Sequence, residues 1–337
     1  MGRMSSLPGI DFAPPNFNHH LRRLDLRHDL SAVADLVELC FQDTLDAEGR
    51  NYLKQMRQAA QHTRLMDMAG SLYNEAAMPP SGLVWEEECP DSRKKRLVGN
   101  LSLIPINLQG KRGYLIANVA VHPDFRGRGI GRALTEAAVE AVRGRGAPAA
   151  WLQVRHDNPS AIHIYTTCGF KERARRSSWT STGAASPANP GAGVTITPRQ
   201  ATHWALQKAW LRAMYPAELS WHLHLDWKSL PPGWEGMLYR FFTWEYPRHW
   251  AAMQDGRLAA LLTWIRSGGS ADQLWLASPQ EVSEPALAGL LTAARRALSS
   301  RRPLALNLPA GLGEEALRQA GFTSHQTLIW MEYRFSL

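Results

Sequence analysis

Apolar and polar residues along this chain switch repeatedly between two rhythms, the alternation of a half-buried strand and the three-and-four spacing of an amphipathic helix. "HLRRLDLR" reads as a short strand and "HDLSAVADLVELCF" as a helix with apolar Val33, Leu36, Val37 and Leu39 to Phe41. A polar helical stretch follows to about Asn74. Three β-rich runs come next, "SGLVWEEEC", "RLVGNLSLIPINL" and "GYLIANVAV", most simply arranged as a meander of adjacent strands. Ile130, Ala133, Leu134, Ala137, Ala138, Ala141 and Val142 then make a helical stripe, "APAAWLQV" a buried strand, and "NPSAIHIYTTCGF" a short helix closed by Gly169 as a left-handed cap.

The second half repeats this order. "VTIT", the helical "RQATHWALQKAWLRAM", and the strands "HWAAMQ", "RLAALLTWI" and "DQLWLASP" lead to a helix from about Pro285 with its stripe at Leu287, Leu290, Leu291, Ala294 and Leu298. "PLALNL" is a strand, and "GEEALRQAGF" ends in Gly321-Phe322 as the first half ends in Gly169-Phe170. Between the halves, the small, Pro- and Gly-rich residues from Ser177 to Gly193 read as a linker. The expected organisation is a domain over 1–180, a linker over 181–193 and a second domain over 194–337. After each Gly-Phe pair only one strand is readable.

Composition bounds this picture without changing it. A length of 337 residues suits about two domains, and 45% hydrophobic with 20% charged residues suits globular cores. Cys40, Cys89 and Cys168 form no CxxC pair, so reduced cytoplasmic thiols are expected and a metal site is not. No apolar run is long enough for a membrane span, and the first residues lack a signal peptide's apolar core. The net charge of +8 is mostly arginine, whose planar fork suits phosphate oxygens. Because the basic residues are scattered rather than gathered in a stripe, a nucleic-acid partner is not expected.

One stretch points at chemistry. "RGRGIGRAL" places Gly127, Gly129 and Gly131 between a strand and a helix, where the unpaired N–H groups of the first turn and the helix dipole favour an anion. The alternating glycines are not the dinucleotide GxGxxG, and no Gly-Lys-Ser/Thr of a Walker loop follows. The second half has "SPQEVSEPALAGL" at this place, with no arginine and with Glu281 and Glu284 instead.

The spacing of Arg126, Gly129 and Gly131, as Q/R-x-x-G-x-G/A, resembles the pyrophosphate loop of the GNAT N-acetyltransferase superfamily. Asn158, Ala161, Tyr165, Gly169 and Phe170 match a second segment of that family, Asn-x-x-Ala-x-x-x-Tyr-x-x-x-Gly-Phe. The close match covers about Leu97 to Phe170. The resemblance implies an α/β (α+β) chain of two tandem GNAT-like domains, each a mixed, mostly antiparallel sheet flanked by helices. The family has two strands after the Gly-Phe pair, so the last strand of each sheet here is missing or shared.

Further implications concern acetyl-CoA as cosubstrate and a primary amine as acceptor. The pyrophosphate would lie on Gly127, Arg128, Gly129, Ile130 and Gly131, with Arg126, Arg128 or Arg132 adding charge. Val119, Ala120 and Val121 would line the pantetheine arm, and Tyr165 would return a proton to the departing thiolate. The second copy, with Leu317 where the first has Tyr165, is expected to bind no cofactor and to shape the acceptor site or brace the first. A non-catalytic acyl-CoA-binding or protein-interaction module is the alternative.

Bland readings stand beside these. Asn158, which the resemblance implies as a direct contact of the CoA, stands before Pro159 as a helix cap would, and one residue can do both. Glu86 to Glu88 read as a solvated strand face, with Glu87 or a neighbour the alternative water-relayed base, and His122 reads as a turn residue. Cys168 has nothing beside it to activate it.

Overall fold

The computed structural model describes residues 19–42, 45, 47–66, 81–89, 92–181, 193–298 and 302–335. The chain divides into two compact units, one of residues 1–153, 158–171 and 331–337, the other of residues 154–157 and 172–330.

In the first unit β1 (Leu21–Arg23), α1 (Leu30–Phe41) and α2 (Ala47–Met66) precede β2 (Ser81–Cys89), β3 (Ser92–Leu108) and β4 (Lys111–Val121). Then come α3 (Ile130–Arg143), β5 (Ala149–Arg155) and α4 (Pro159–Thr167). Strands β1 to β4 pair antiparallel in chain order, and β5 joins β4 in parallel. The expected helix toward Asn74 is α2 as far as Met66, and residues 67–80 lie outside the described residues.

Two helical layers bury opposite faces of this sheet. Leu30, Val33, Leu36 and Val37 of α1 and Leu53 and Met56 of α2 form one core with Val84 and Ala120. On α3 the buried residues Ile130, Leu134, Ala138 and Val142 follow the expected stripe. Gly99 on β3 lets α3 come close, since a Cβ there would stand 2.9 Å from Trp85 Cβ and 3.1 Å from Ile130 and Leu134 side-chain carbons.

The second unit repeats the plan with β6 (Lys171–Ser181), β7 (Val194–Pro198), α5 (Trp204–Met214), α6 (Trp234–Thr243), β8 (Arg248–Gln254), β9 (Arg257–Ile265) and β10 (Asp272–Ala277). It continues with α7 (Glu284–Leu298), β11 (Leu304–Pro309), α8 (Glu314–Gln319) and β12 (Phe322–Arg334). Strands β7 to β10 pair antiparallel, β11 joins β10 in parallel, and Leu287, Leu290, Leu291, Ala294 and Leu298 of α7 are buried as their spacing predicts.

The single strand after each Gly-Phe pair turns out to be exchanged. β6 pairs antiparallel with β11. Its buried Arg176 donates to Asn307 Oδ1 at 2.5 Å, Asn307 O at 2.7 Å and Met214 O at 2.9 Å. Conversely, the end of β12 belongs to the first unit: Phe335 N–H donates to Pro148 O, and Tyr333 packs edge-on against Phe170. Ser177–Ser181, read as the start of the linker, are therefore the end of a strand, while 182–192 lie outside the described residues.

His249 of β8 carries a test of the second unit's core. Its Nδ1 lies 2.9 Å from Thr263 Oγ1, and burial, with the charges of Arg199 and Arg240 behind it, pushes its pKa down to about 3. As pH falls, the unfolded chain takes up this proton near the ordinary histidine value of about 6.5, while the folded chain refuses it until near 3. Stability is therefore flat above that value and declines below it. Between about pH 6.5 and 5, above the usual carboxylate range, urea unfolding followed by tryptophan fluorescence is expected to lose on the order of 1–2 kcal/mol. In His249→Asn this slope shrinks to the smaller share that the likewise buried His222 contributes.

Candidate functional site

β4 and β5 pair only over Tyr114–Ile116 and Ala150–Leu152, although β4 runs on to Val121 and β5 to Arg155. A bulge marks the parting. Between the pairs Asn100–Ala120 and Ser102–Ala117 the register slips, and Asn118 sits there with φ +52°. Asparagine is among the few residues that tolerate this left-handed conformation. Its carbonyl accepts from Asn100 Nδ2 at 3.0 Å, and its own Nδ2 donates to Ser102 Oγ at 3.3 Å.

Past the bulge β4 exposes one edge. His122 N–H donates to Val98 O at 2.8 Å with Gly99 opposite Val121, so the N–H and C=O of Val121 face away from β3. Val119, two residues back, shares that edge, and the buried Ala120 between them belongs to the core under α1 and α2. Val121 O is held by Cys40 Sγ at 3.3 Å and Arg126 Nε at 3.2 Å. Cys40 and Asn118 are thus site residues that hydropathy does not flag; the asparagine within a strand-like run is the only signal for the bulge.

A turn of 3-10 helix, Pro123–Phe125, carries the chain from β4 into the glycine loop. His122 caps it, accepting from Asp124 N–H, which agrees with its reading as a turn residue. Gly127 and Gly129 take φ of +75° and +80°, and a Cβ on either would meet nothing within 4 Å. Their backbone faces open space. Gly129 is the N-cap of α3 and has no side chain to cap it, so the first-turn N–H groups, from Ile130 and Gly131 to Arg132, are left to an external acceptor. Arg126, Arg128 and Arg132 are spread around this end: Arg128 lies 4.8 Å over the Phe125 ring and Arg132 Nε 3.8 Å from Glu136. The glycines, the uncapped helix and the free edge of β4 fit a phosphorylated, amide-rich cosubstrate such as acetyl-CoA.

Neighbouring α4 brings the second motif. A Cβ on Gly131 would lie 3.5 Å from Ile164 Cδ1 and 3.8 Å from Val121 Cγ2, so α3, α4 and the end of β4 are in contact range. Asn158 Oδ1 accepts from Ala161 N–H at 3.1 Å, with Pro159 behind it, which is the cap reading. Tyr165 is 7% exposed and meets Phe170 edge-on at 6.2 Å. Burial raises its phenol well above the ordinary value, with Cys168 adding to the rise. Burial raises the Cys168 thiol too, consistent with an inert role.

The glutamates of β2 are not the solvated face that alternation suggested. Glu86 Oε1 accepts from Arg22 Nη2 at 2.5 Å, and Arg22 also forks onto the buried Asp29 at 2.6 and 2.8 Å. Glu87 Oε1 accepts from Trp85 Nε1 at 2.9 Å, and its Oε2 lies 3.4 Å from His20 Nδ1, whose ring stacks on Trp85. A register shift between Trp85 and Glu86 breaks the simple alternation, and only Glu88 is exposed. Glu87 is thereby committed to two partners.

The equivalent helix start in the second unit is closed by its own side chains. Ser283 Oγ accepts from Ala286 N–H at 3.3 Å, and Glu284 Oε2 accepts from Ala316 N–H in α8 at 2.8 Å. Leu317 is fully buried where the first copy has Tyr165.

Residues 45–170 match the Acetyltransferase (GNAT) family. A [ribosomal protein bS18]-alanine N-acetyltransferase of Salmonella typhimurium is 44% identical over 59 residues, which are 18% of this chain and 40% of that one. A mycothiol acetyltransferase of Rhodococcus opacus is 49% identical over 53 residues, 16% of this chain and 17% of that one. The crystal structure of a GCN5-related N-acetyltransferase from Sphaerobacter thermophilus shares the fold, with a TM-score of 0.52 at 15% identity over 96% of this chain and 98% of that one. Residues 45–170, which hold both the glycine loop and the Asn158–Phe170 segment, are the part of this chain that matches the GNAT acetyltransferase family.

Proposed function

We propose that the first unit transfers an acetyl group from acetyl-CoA to a primary amine by direct attack. The observation that carries this reading is the contrast between copies: α3 begins uncapped beside the free edge of β4, while α7 begins capped by Ser283 with Glu284 turned onto α8. One open anion cradle per chain is a binding site for one cosubstrate.

In this reading the residues would take the following roles. N–H groups from Gly127 to Gly131 would hold the pyrophosphate, with Arg126, Arg128 and Arg132 adding charge-assisted contacts. Val119 and Val121 would pair with the pantetheine amides as an extra strand would, and Ala120 fixes their edge by packing behind it. When bound, the thioester supplies an activated acetyl carbon. A β4 N–H near Val119 would face the charge that builds on its oxygen. Tyr165, with its pKa raised, keeps its proton until a thiolate leaves and then donates it. Asn158 acts by starting α4 and so placing Tyr165 about two turns on. The attacking amine must be neutral, and the proton its nitrogen sheds on becoming an amide, passed through solvent, would restore the Tyr165 phenol.

Turnover of acetyl-CoA with a panel of small amines and an alanine-initiated peptide tests the reading. Tyr165→Phe is expected to lower kcat by about 100-fold or more with acetyl-CoA affinity unchanged. Because the phenol pKa lies above its ordinary value of about 10, the rate is expected to climb as the amine deprotonates and to show no descending limb below about pH 10. Binding without turnover on every amine would instead favour a non-catalytic acyl-CoA module. Gly129→Val, strained at φ +80° and projecting into the cradle, is expected to weaken acetyl-CoA binding by about 100-fold in calorimetry while costing the fold about 1–2 kcal/mol.

A further inference from the structure

Helix α6 of the second unit is built inside out. Its apolar residues Trp234, Met237, Leu238, Phe241 and Phe242 follow the three-and-four spacing of a single stripe, and that stripe is exposed. The side turned to the protein is held by polar and backbone contacts. Gly236 is the buried residue of the helix and abuts Pro231 O, and Arg240 Nη1 donates to Ser229 O at 2.9 Å and Pro231 O at 3.0 Å. An ordinary surface helix would have these two sides reversed.

Two more aromatics extend the stripe past the helix end. Trp244 is 81% exposed and takes φ +57°, ψ +23°, a left-handed cap where glycine is the usual occupant. A bulky residue is an uncommon occupant of that conformation. Tyr246 is exposed beside it. Among the described residues, seven of the nine large exposed hydrophobics lie between Trp234 and Tyr246.

We propose that this surface pairs α6 with α6 of a second copy of this chain. At about 150–250 Å² for each aromatic, the stripe presents on the order of 900 Å² of apolar surface. That exceeds the largest apolar patch of about 300–600 Å² on a typical monomer and meets the roughly 800 Å² per partner of a standard interface. The patch is also self-complementary. The protruding stripe lies next to a cleft of about 460 Å³ whose walls include Trp244, Tyr246 and Trp264, so each copy offers both a ridge and a hollow, as a twofold interface requires. Its charges are mixed, Glu235 and Glu245 against Arg240, Arg248 and Arg266, and Arg240 is already engaged. Such a face lacks the basic flank that draws an amphipathic helix to anionic lipid.

Light scattering and sedimentation of the full chain at micromolar concentration test this independently of acetyl transfer. The wild type is expected at twice 37.6 kDa, and Phe241→Glu/Trp244→Glu at the single mass, with association weakened by at least about 100-fold. Amides of α6 are expected to gain hydrogen-exchange protection as wild-type concentration rises, a readout that needs no variant. A wild type of single mass at every concentration overturns the proposal. So does a double mass that the charged variant keeps, or α6 exchange indifferent to concentration. A single-mass wild type that floats with phosphatidylcholine vesicles would assign the face to lipid and overturn it equally.

Discussion

Beyond Ile116 and Leu152, β4 and β5 no longer exchange hydrogen bonds, yet each runs on for several residues. Backbone groups on a free strand edge are obligatory donors and acceptors and need a partner from somewhere. The Asn118 bulge turns the strand after the parting, and the core beneath Ala120 keeps it from closing again. At the far end of the same strand the chain enters an uncapped helix through glycines that leave its backbone bare. Two sets of backbone N–H groups, one on a strand edge and one at a helix start, thus meet in one region.

The second unit shows what the same architecture looks like when those groups are satisfied from within. Ser283 supplies the cap that Gly129 withholds, and Glu284 accepts from Ala316 N–H in α8. The change from glycine to serine supplies a side-chain acceptor at the helix start. It leaves the stripe of α7, and hence the core, intact.

Much of this was legible in the chain. The stripe of α3, the glycine spacing, the Asn158–Phe170 segment and the repeat of the whole order come from local chemistry with a short period. Long-range choices were not legible. That β6 joins β11 depends on Arg176 reaching Asn307 and Met214, residues far away in sequence. Glu86 and Glu87 looked solvated because alternation assumes an unbroken register, and the slip at Trp85/Glu86 together with Arg22 and His20 overrides it. Helix α6 escaped because its stripe, read alone, promises a buried face, and the packing of Gly236 and Arg240 turns it outward.

The central claim is that one copy keeps an open cradle for a diphosphate and the other has filled it. Titration calorimetry of acetyl-CoA into the full chain counts such sites directly. One site per chain is the predicted result, and none, or two, would contradict it.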